Sequence, residues 1–106
     1  MMAKYIMDCL TRQKMIVFSW GFHKAIALEN GLRFSVNGFI HKGIVDVIYN
    51  EGTDYFDIKL INNGVTKSLT LNVDLGGLIS TLDTLIEKDE NDEKYKNRIK
   101  QKYSLL

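Results

Sequence analysis

Length, composition and charge are those of one globular domain. The chain has 106 residues, of which 45% are hydrophobic and 25% charged, so it can bury one core without disulfides or metal. Fourteen Lys and Arg against thirteen Asp and Glu leave a formal net charge of +1, which excludes the strongly basic balance typical of nucleic-acid-binding proteins. We therefore expect a single domain over residues 1–106, in which any contact with nucleic acid needs a local basic patch.

The sequence shows no signal for membrane insertion or secretion. Uninterrupted apolar runs reach four residues, whereas a membrane-spanning helix needs about 18 or more. Asp8, Arg12 and Lys14 interrupt the N-terminal segment before the apolar stretch of a secretion signal is complete. Cys9 is the single cysteine, so no intramolecular disulfide forms, and its apolar neighbours are typical of a core residue rather than a nucleophile. These observations predict a cytoplasmic protein without a membrane partner.

A helix followed by a strand is predicted for the first twenty residues. Ile6 and Leu10 are four residues apart, with Tyr5 and Cys9 beside them, a spacing that gathers apolar side chains on one side of a helix. Residues 15–20 are rich in branched and aromatic side chains and are followed by a glycine. That pattern predicts the first strand.

Alternating residues and glycine-containing turns predict an antiparallel β-meander of about five strands. The pair Asn30-Gly31 is typical of a two-residue hairpin turn. The strands around and after this turn are predicted at residues 25–29, 32–36, 44–49, 53–61 and 65–73. In the last of them Leu69, Leu71 and Val73 alternate with polar residues, which predicts that these three share the apolar side. The opposite side is then expected to show polar residues to water or to a partner: Tyr55, Asp57, Lys59, Thr66, Lys67, Ser68 and Thr70.

Two helices are predicted after the meander. Asp74 is a suitable N-cap for a helix over residues 75–87 that has Leu and Ile at helical spacing. A second helix is predicted from about residue 92, with a narrow apolar stripe made by Tyr95, Ile99 and Tyr103. The fold class is therefore α+β: an N-terminal helix, an antiparallel β-meander and two C-terminal helices, at least one of them packed on one face of the sheet.

Histidine and aspartate residues suggest a metal-dependent or hydrolytic enzyme as one hypothesis. The candidates are His23, His41, Asp46, Asp54 and Asp57. Their spacings match no metal-ligand or catalytic motif, and Asp54 and Asp57 are three residues apart on a predicted strand, so they point to opposite faces. We expect surface and turn roles for these residues, with no metal and no cofactor.

The C-terminal part changes charge abruptly. Residues 83–93 contain six acids and one Lys, and the following residues to 102 contain bases without an acid: Lys94, Lys96, Arg98, Lys100 and Lys102. Acids at the start and bases at the end of a helix complement its dipole, which favours a structural role. Contact between the basic stretch and phosphates is the alternative, so nucleic-acid binding stays open as a second hypothesis.

The sequence contains more aromatic residues than a small sheet covered by one helix would bury in its core. The candidates for an exposed interaction surface are Trp20, Phe22, Phe39, Tyr49 and Tyr55. Exposed aromatic patches are typical of dimer interfaces and binding grooves. The main hypothesis is therefore a non-enzymatic interaction module that forms a homodimer and binds a protein partner.

The stretch FSWGFHKAIALENGLRFSVNGFIHKGIVDVIYNEGTDYFD, residues 18–57, resembles a family of small bacterial proteins for which no activity is described. The resemblance covers between a third and a half of the chain. It implies a bacterial, intracellular setting and transfers no site residue.

Overall fold

The computed structural model describes residues 2–87. In chain order the elements are α1 (Met2–Thr11), α2 (Lys14–Ser19), β1 (His23–Leu28), β2 (Gly31–Asn37), β3 (Lys42–Asn50), β4 (Tyr55–Asn62), β5 (Val65–Val73), a 3₁₀ turn (Leu75–Gly77) and α3 (Leu78–Ile86). The predicted α+β class is confirmed. The helix predicted from about residue 92 lies outside the described residues.

The five strands form one antiparallel sheet in the order β1-β2-β3-β4-β5, so each strand pairs with its neighbour in sequence. At the turn from β4 to β5, Asn63 and Gly64 both have positive φ, at 53° and 76°, as the tight turn of a hairpin requires. At the first hairpin Gly31 already belongs to β2 and pairs with Leu28. A Cβ at Gly31 would lie 2.1 Å from the carbonyl oxygen of Val47, so glycine is required there by close strand contact.

The strand predicted for residues 15–20 is wrong, because this segment forms α2. It follows α1 after a two-residue turn, and the amide of Val17 donates to the carbonyl of Gln13 at 3.0 Å. Gly21, with φ of 70°, ends the helix as a left-handed residue commonly does. Burial of Val17 on the core side gives the branched residues a helical environment that outweighs their preference for strands.

One core fills the space between the helices and one face of the sheet, which we call the inner sheet face. Its strand residues are Leu32, Phe34, Val36, Val45, Val47, Phe56, Ile58, Leu60 and Val73. α1 adds Ile6 and Leu10, and α3 adds Leu78, Leu82 and Ile86, all buried in the same cluster. Each such side chain contributes roughly 1.5 to 3 kcal/mol when fully buried. Packing of α1 and α3 therefore explains why both helices are stable despite their short length.

The helical segment after β5 begins as the sequence predicts, with Asp74 as the N-cap of the 3₁₀ turn that leads into α3. The Asp74 carboxylate accepts a hydrogen bond from the amide of Gly77 at 2.7 Å. The first turn is 3₁₀ rather than α and contains Gly76 and Gly77, which have low helix propensity. The cap and the buried leucines that follow hold α3 against the inner sheet face.

A bulge near the end of β5 changes the faces on which its side chains lie. Ile58 pairs with Thr70, but Phe56, two residues earlier on β4, pairs with Val73, three residues later on β5. The extra residue is accommodated where Asn72 takes a left-handed conformation with φ of 59°. Such an insertion reverses the alternation of side chains along a strand.

The bulge overturns the predicted sidedness of β5. Val73 is buried in the core, whereas Leu69 and Leu71 lie on the opposite face, where Leu69 pairs with Lys59. Ser68 and Thr70, predicted on the polar side, instead pair with buried residues of β4 and lie on the inner sheet face. Leu69 and Leu71, which the sequence pattern places in the core, are therefore exposed on the surface.

Candidate interaction surface

The face of the sheet opposite the core has no helix over it among residues 2–87. Seven apolar residues from four of the five strands, all but β2, lie there: Ile26, Leu28, Ile44, Ile48, Ile61, Leu69 and Leu71. We call this the outer sheet face. Ile26, Leu69 and Leu71 are 56%, 55% and 56% exposed. Ile26 lies at the β1 edge and Leu69 and Leu71 lie at the β5 edge, with charged residues on the strands between them. Exposed apolar side chains on an uncovered sheet face favour an interaction site.

An ion pair lies at the centre of the outer sheet face. Asp46 on β3 is in register with Arg33 on β2 and Lys59 on β4. Arg33 Nε and Nη2 donate to the two carboxylate oxygens of Asp46 at 2.7 and 2.9 Å. These hydrogen bonds and the Asp46 charge raise the pKa of Arg33 above its ordinary value, against a smaller opposing effect of burial. Because the carboxylate is already paired within the chain, covering this face costs less than burying an unpaired charge.

Trp20 does not belong to an interaction surface, and its prediction as an exposed aromatic is wrong. Its side chain is fully buried in the core, and its indole N–H donates to Asp83 Oδ1 on α3 at 3.0 Å. The residue follows α2 directly, so the change of residues 15–20 from strand to helix turns the indole inward. Trp20 is a structural link between α2 and α3.

The other four candidate aromatics do not share one surface, although Tyr49 and Tyr55 both lie at the β3–β4 turn, on opposite faces of the sheet. Phe22 packs on Phe34, with ring centroids 4.8 Å apart. Phe39 is half-exposed in the loop before β3, and Tyr49 is near the far end of that strand, more than about 20 Å away along it. Tyr55 is exposed at the start of β4, on the side of the outer sheet face. The structure therefore does not bring these four residues together.

The histidine and aspartate candidates also have separate partners. His23 and His41 each hydrogen-bond a nearby backbone carbonyl, at 2.6 and 3.1 Å. Asp46 pairs with arginine, Asp54 accepts from a tyrosine, and Asp57 accepts a backbone amide of β5. Within residues 2–87, no group of three or more His, Cys, Asp or Glu side chains is arranged to hold a metal ion. Each of the five candidate side chains therefore has a structural partner of its own.

Tyr49 and Asp54 form a hydrogen bond that predicts a pH dependence of stability. The phenol donates to Asp54 Oδ1, and this bond, with burial and the charges of Asp54 and Glu51, raises the pKa of Tyr49 above its ordinary value of 10.0. The neutral phenol is thus favoured by folding, so its contribution is complete below about pH 10 and is lost as the pH rises through the raised value. Denaturation of the wild type and Tyr49→Phe from pH 7 to 11 is expected to show a stability difference that shrinks above pH 10.

The matched control for this pH dependence is Asp54→Asn, which keeps a residue that tolerates the left-handed backbone at this position, where φ is 63°. In the Asp54→Asn background, the change in stability caused by Tyr49→Phe is expected to depend less on pH than it does in the wild-type background. A difference between wild type and Tyr49→Phe that is constant to pH 11 would show that the bond does not form in solution.

The residues that dominate the outer sheet face are not apparent from the alternation of polar and apolar residues in the sequence. Leu69 and Leu71 were expected in the core because they alternate with polar residues in step with Val73. The available signal was Asn72 between Leu71 and Val73, since asparagine is among the residues that most readily take the left-handed conformation of a bulge. That local signal is weak without knowledge of the pairing with β4.

Comparisons with protein families, curated proteins and solved structures found no match to this chain. The resemblance of residues 18–57 to a bacterial family therefore stays a prediction. No helix in residues 2–87 has both the length and the apolar character needed to span a bilayer. The candidate nucleic-acid contacts lie outside the described residues: Lys94, Lys96, Arg98, Lys100 and Lys102.

Proposed function

We propose that this protein is a non-enzymatic interaction module that forms a homodimer through the outer sheet face. The observation that carries the proposal is the exposure of Ile26, Leu69 and Leu71 on a face that no helix covers among residues 2–87. Residues this apolar are stabilised when they leave water, by about 25 cal/mol per Å² of apolar surface. The cytoplasmic location and bacterial origin expected from the sequence are part of the same proposal.

The size of the outer sheet face fits a second copy of the chain. Five strands with seven to nine residues on most of them form a face of roughly 24 by 25 Å, or about 600 Å² in projection. The accessible surface of a face corrugated by side chains is larger than its projection, and a standard interface covers about 800 Å² on each partner. A face-to-face dimer with the two sheets about 10 Å apart would therefore have the area of a stable interface.

The charges on the outer sheet face also fit a second copy. Arg33 and Asp46 are paired within one chain. Beside them on β4, Lys59 and Asp57 supply one further charge of each sign, and neither forms an ion pair within residues 2–87. In a two-fold dimer the same patch of one chain contacts that of the other. A patch that carries both positive and negative side chains is therefore able to form ion pairs with its own copy. A face of one sign would repel a second copy.

Leu69→Lys tests this proposal. The new cation lies beside Lys59 in each chain and would be buried without a partner, so the dimer dissociation constant is expected to rise at least tenfold. Sedimentation equilibrium, at two salt concentrations and over a range of protein concentrations, measures this constant. For the wild type we expect a mass of twice the 12.2 kDa chain with little salt dependence, because the interface is mainly apolar.

The matched control is Val65→Lys. Val65 is on the same strand and is 55% exposed, but it pairs with Asn62 on the side of the inner sheet face. Its substitution is expected to leave the dimer unchanged. A wild type that is monomeric at every concentration would contradict the proposal, as would a dimer weakened equally by both substitutions.

A further inference from the structure

An apolar groove lies between α1 and α2, away from the outer sheet face. Its cavity is about 410 Å³. Leu10 and Val17 are buried and form its floor, and Met15 and Phe18 stand at its walls at 59% and 60% exposure. Phe22 closes one side and is held by its contact with Phe34. The groove thus has a fixed floor and walls of adaptable side chains.

One end of the groove is basic. Lys14 and Thr11 line it together with the apolar residues, and a second depression that shares Thr11, Lys14 and Met15 continues from it to Arg12. No described acidic side chain lines either depression. A ligand that follows the groove therefore passes from an apolar environment to two cations.

The dimensions of the groove favour a thin ligand. An α-helix with its side chains is about 10 to 12 Å wide, so a peptide helix would place only single side chains in a cavity of this size. Small-molecule sites have volumes of about 300 to 1,000 Å³. The volume and apolar lining of the groove suit an alkyl chain, and Lys14 and Arg12 suit a single anionic head group.

We propose that the groove between α1 and α2 binds a long-chain carboxylate, with the alkyl chain between Met15, Phe18 and Phe22 and the carboxylate at Arg12 and Lys14. Burial of each methylene group improves affinity about fourfold. Affinity is therefore expected to rise steeply with chain length. This site is independent of the proposed dimer interface.

Titration calorimetry with dodecanoate, kept below its critical micelle concentration, tests the proposal on the full chain. Saturable binding is expected, weaker for decanoate by about tenfold or more, since two methylene groups are lost. Phe18→Ser removes an exposed wall and is expected to weaken dodecanoate binding at least tenfold. Lys14→Gln is expected to weaken dodecanoate several-fold and to leave the binding of dodecanol unchanged, because dodecanol has no carboxylate.

Two controls separate this site from other causes. Val65→Ser alters an exposed apolar residue of similar accessibility on β5 and should leave binding unchanged, and Leu69→Lys should do the same because it is on the outer sheet face. The proposal is overturned by the absence of saturable dodecanoate binding, by equal binding to Phe18→Ser, or by adsorption to phosphatidylglycerol vesicles without binding of free dodecanoate. The last outcome would identify the groove as a membrane-surface contact.

Discussion

Replacing Trp20 with alanine is expected to lower the free energy of unfolding by about 3 to 5 kcal/mol, the range found for large aromatic residues removed from a core. The side chain is fully buried and its indole N–H is bound to Asp83 on α3. The substitution therefore leaves a cavity between α2 and α3 and removes the bond that joins them. Circular dichroism in a denaturant series is the appropriate measurement, since Trp20 is the single tryptophan and its fluorescence is lost in the variant.

The matched control for Trp20 is Phe18→Ala. Phe18 is on α2, two residues before Trp20, and is exposed, so its removal is expected to change stability by no more than about 0.5 kcal/mol. Both variants are compared at one protein concentration, because the proposed dimerisation would make stability depend on concentration. Equal effects of the two substitutions would contradict the buried position of the indole.

Gly38→Ala is expected to lower the free energy of unfolding by about 1 to 3 kcal/mol, because the methyl group enters space that is already filled. A Cβ at Gly38 would lie 2.3 Å from the carbonyl oxygen of Ile86 at the end of α3. That oxygen accepts the amides of Ile40 and His41 at 2.9 and 3.2 Å, and Glu87 Oε2 accepts the amide of Phe39 at 2.9 Å. The loop before β3 therefore fixes the end of α3, and any shift that relieves the clash strains these bonds.

Gly76→Ala is the control for Gly38→Ala. The nearest atom to a Cβ at Gly76 is Asp74 Oδ1 at 4.0 Å, so the methyl group meets no obstacle. Gly76→Ala is expected to change the free energy of unfolding by no more than about 1 kcal/mol. The change is in the stabilising direction where alanine reduces the conformational entropy of the unfolded chain. Thermal denaturation followed by circular dichroism ranks the two variants. A Gly38→Ala protein as stable as Gly76→Ala would contradict the close contact between the loop and α3.

Local patterns predicted most of the strands but not every helix. Residues 65–73 form β5 with the predicted bounds, and the capping role of Asp74 is confirmed, because turn chemistry and capping depend on neighbouring residues. Residues 15–20 form a helix because of packing against a core assembled from distant parts of the chain. Branched residues alone do not reveal that environment.

The positions of the exposed apolar side chains differ from those that the sequence predicts. An excess of apolar side chains over the available cover indicated a surface patch, yet the aromatic Trp20 is in the core and the aliphatic Leu69 and Leu71 are on the outer sheet face. The positions of Leu69 and Leu71 depend on one inserted residue at Asn72, since one residue reverses the side on which a strand presents its side chains. Register between β4 and β5 is a property of the pair and is not encoded in the alternation of either strand alone.

The most direct test of the dimer is a search for contacts between the two chains. Isotope-filtered nuclear Overhauser spectra on a mixture of labelled and unlabelled protein detect methyl groups of one copy that lie against the other. The account predicts intermolecular signals from the methyl groups of Ile26, Leu69 and Leu71. Intermolecular signals from Met15 and Val17 in their place, or no intermolecular signals from a sample of dimeric mass, would contradict it.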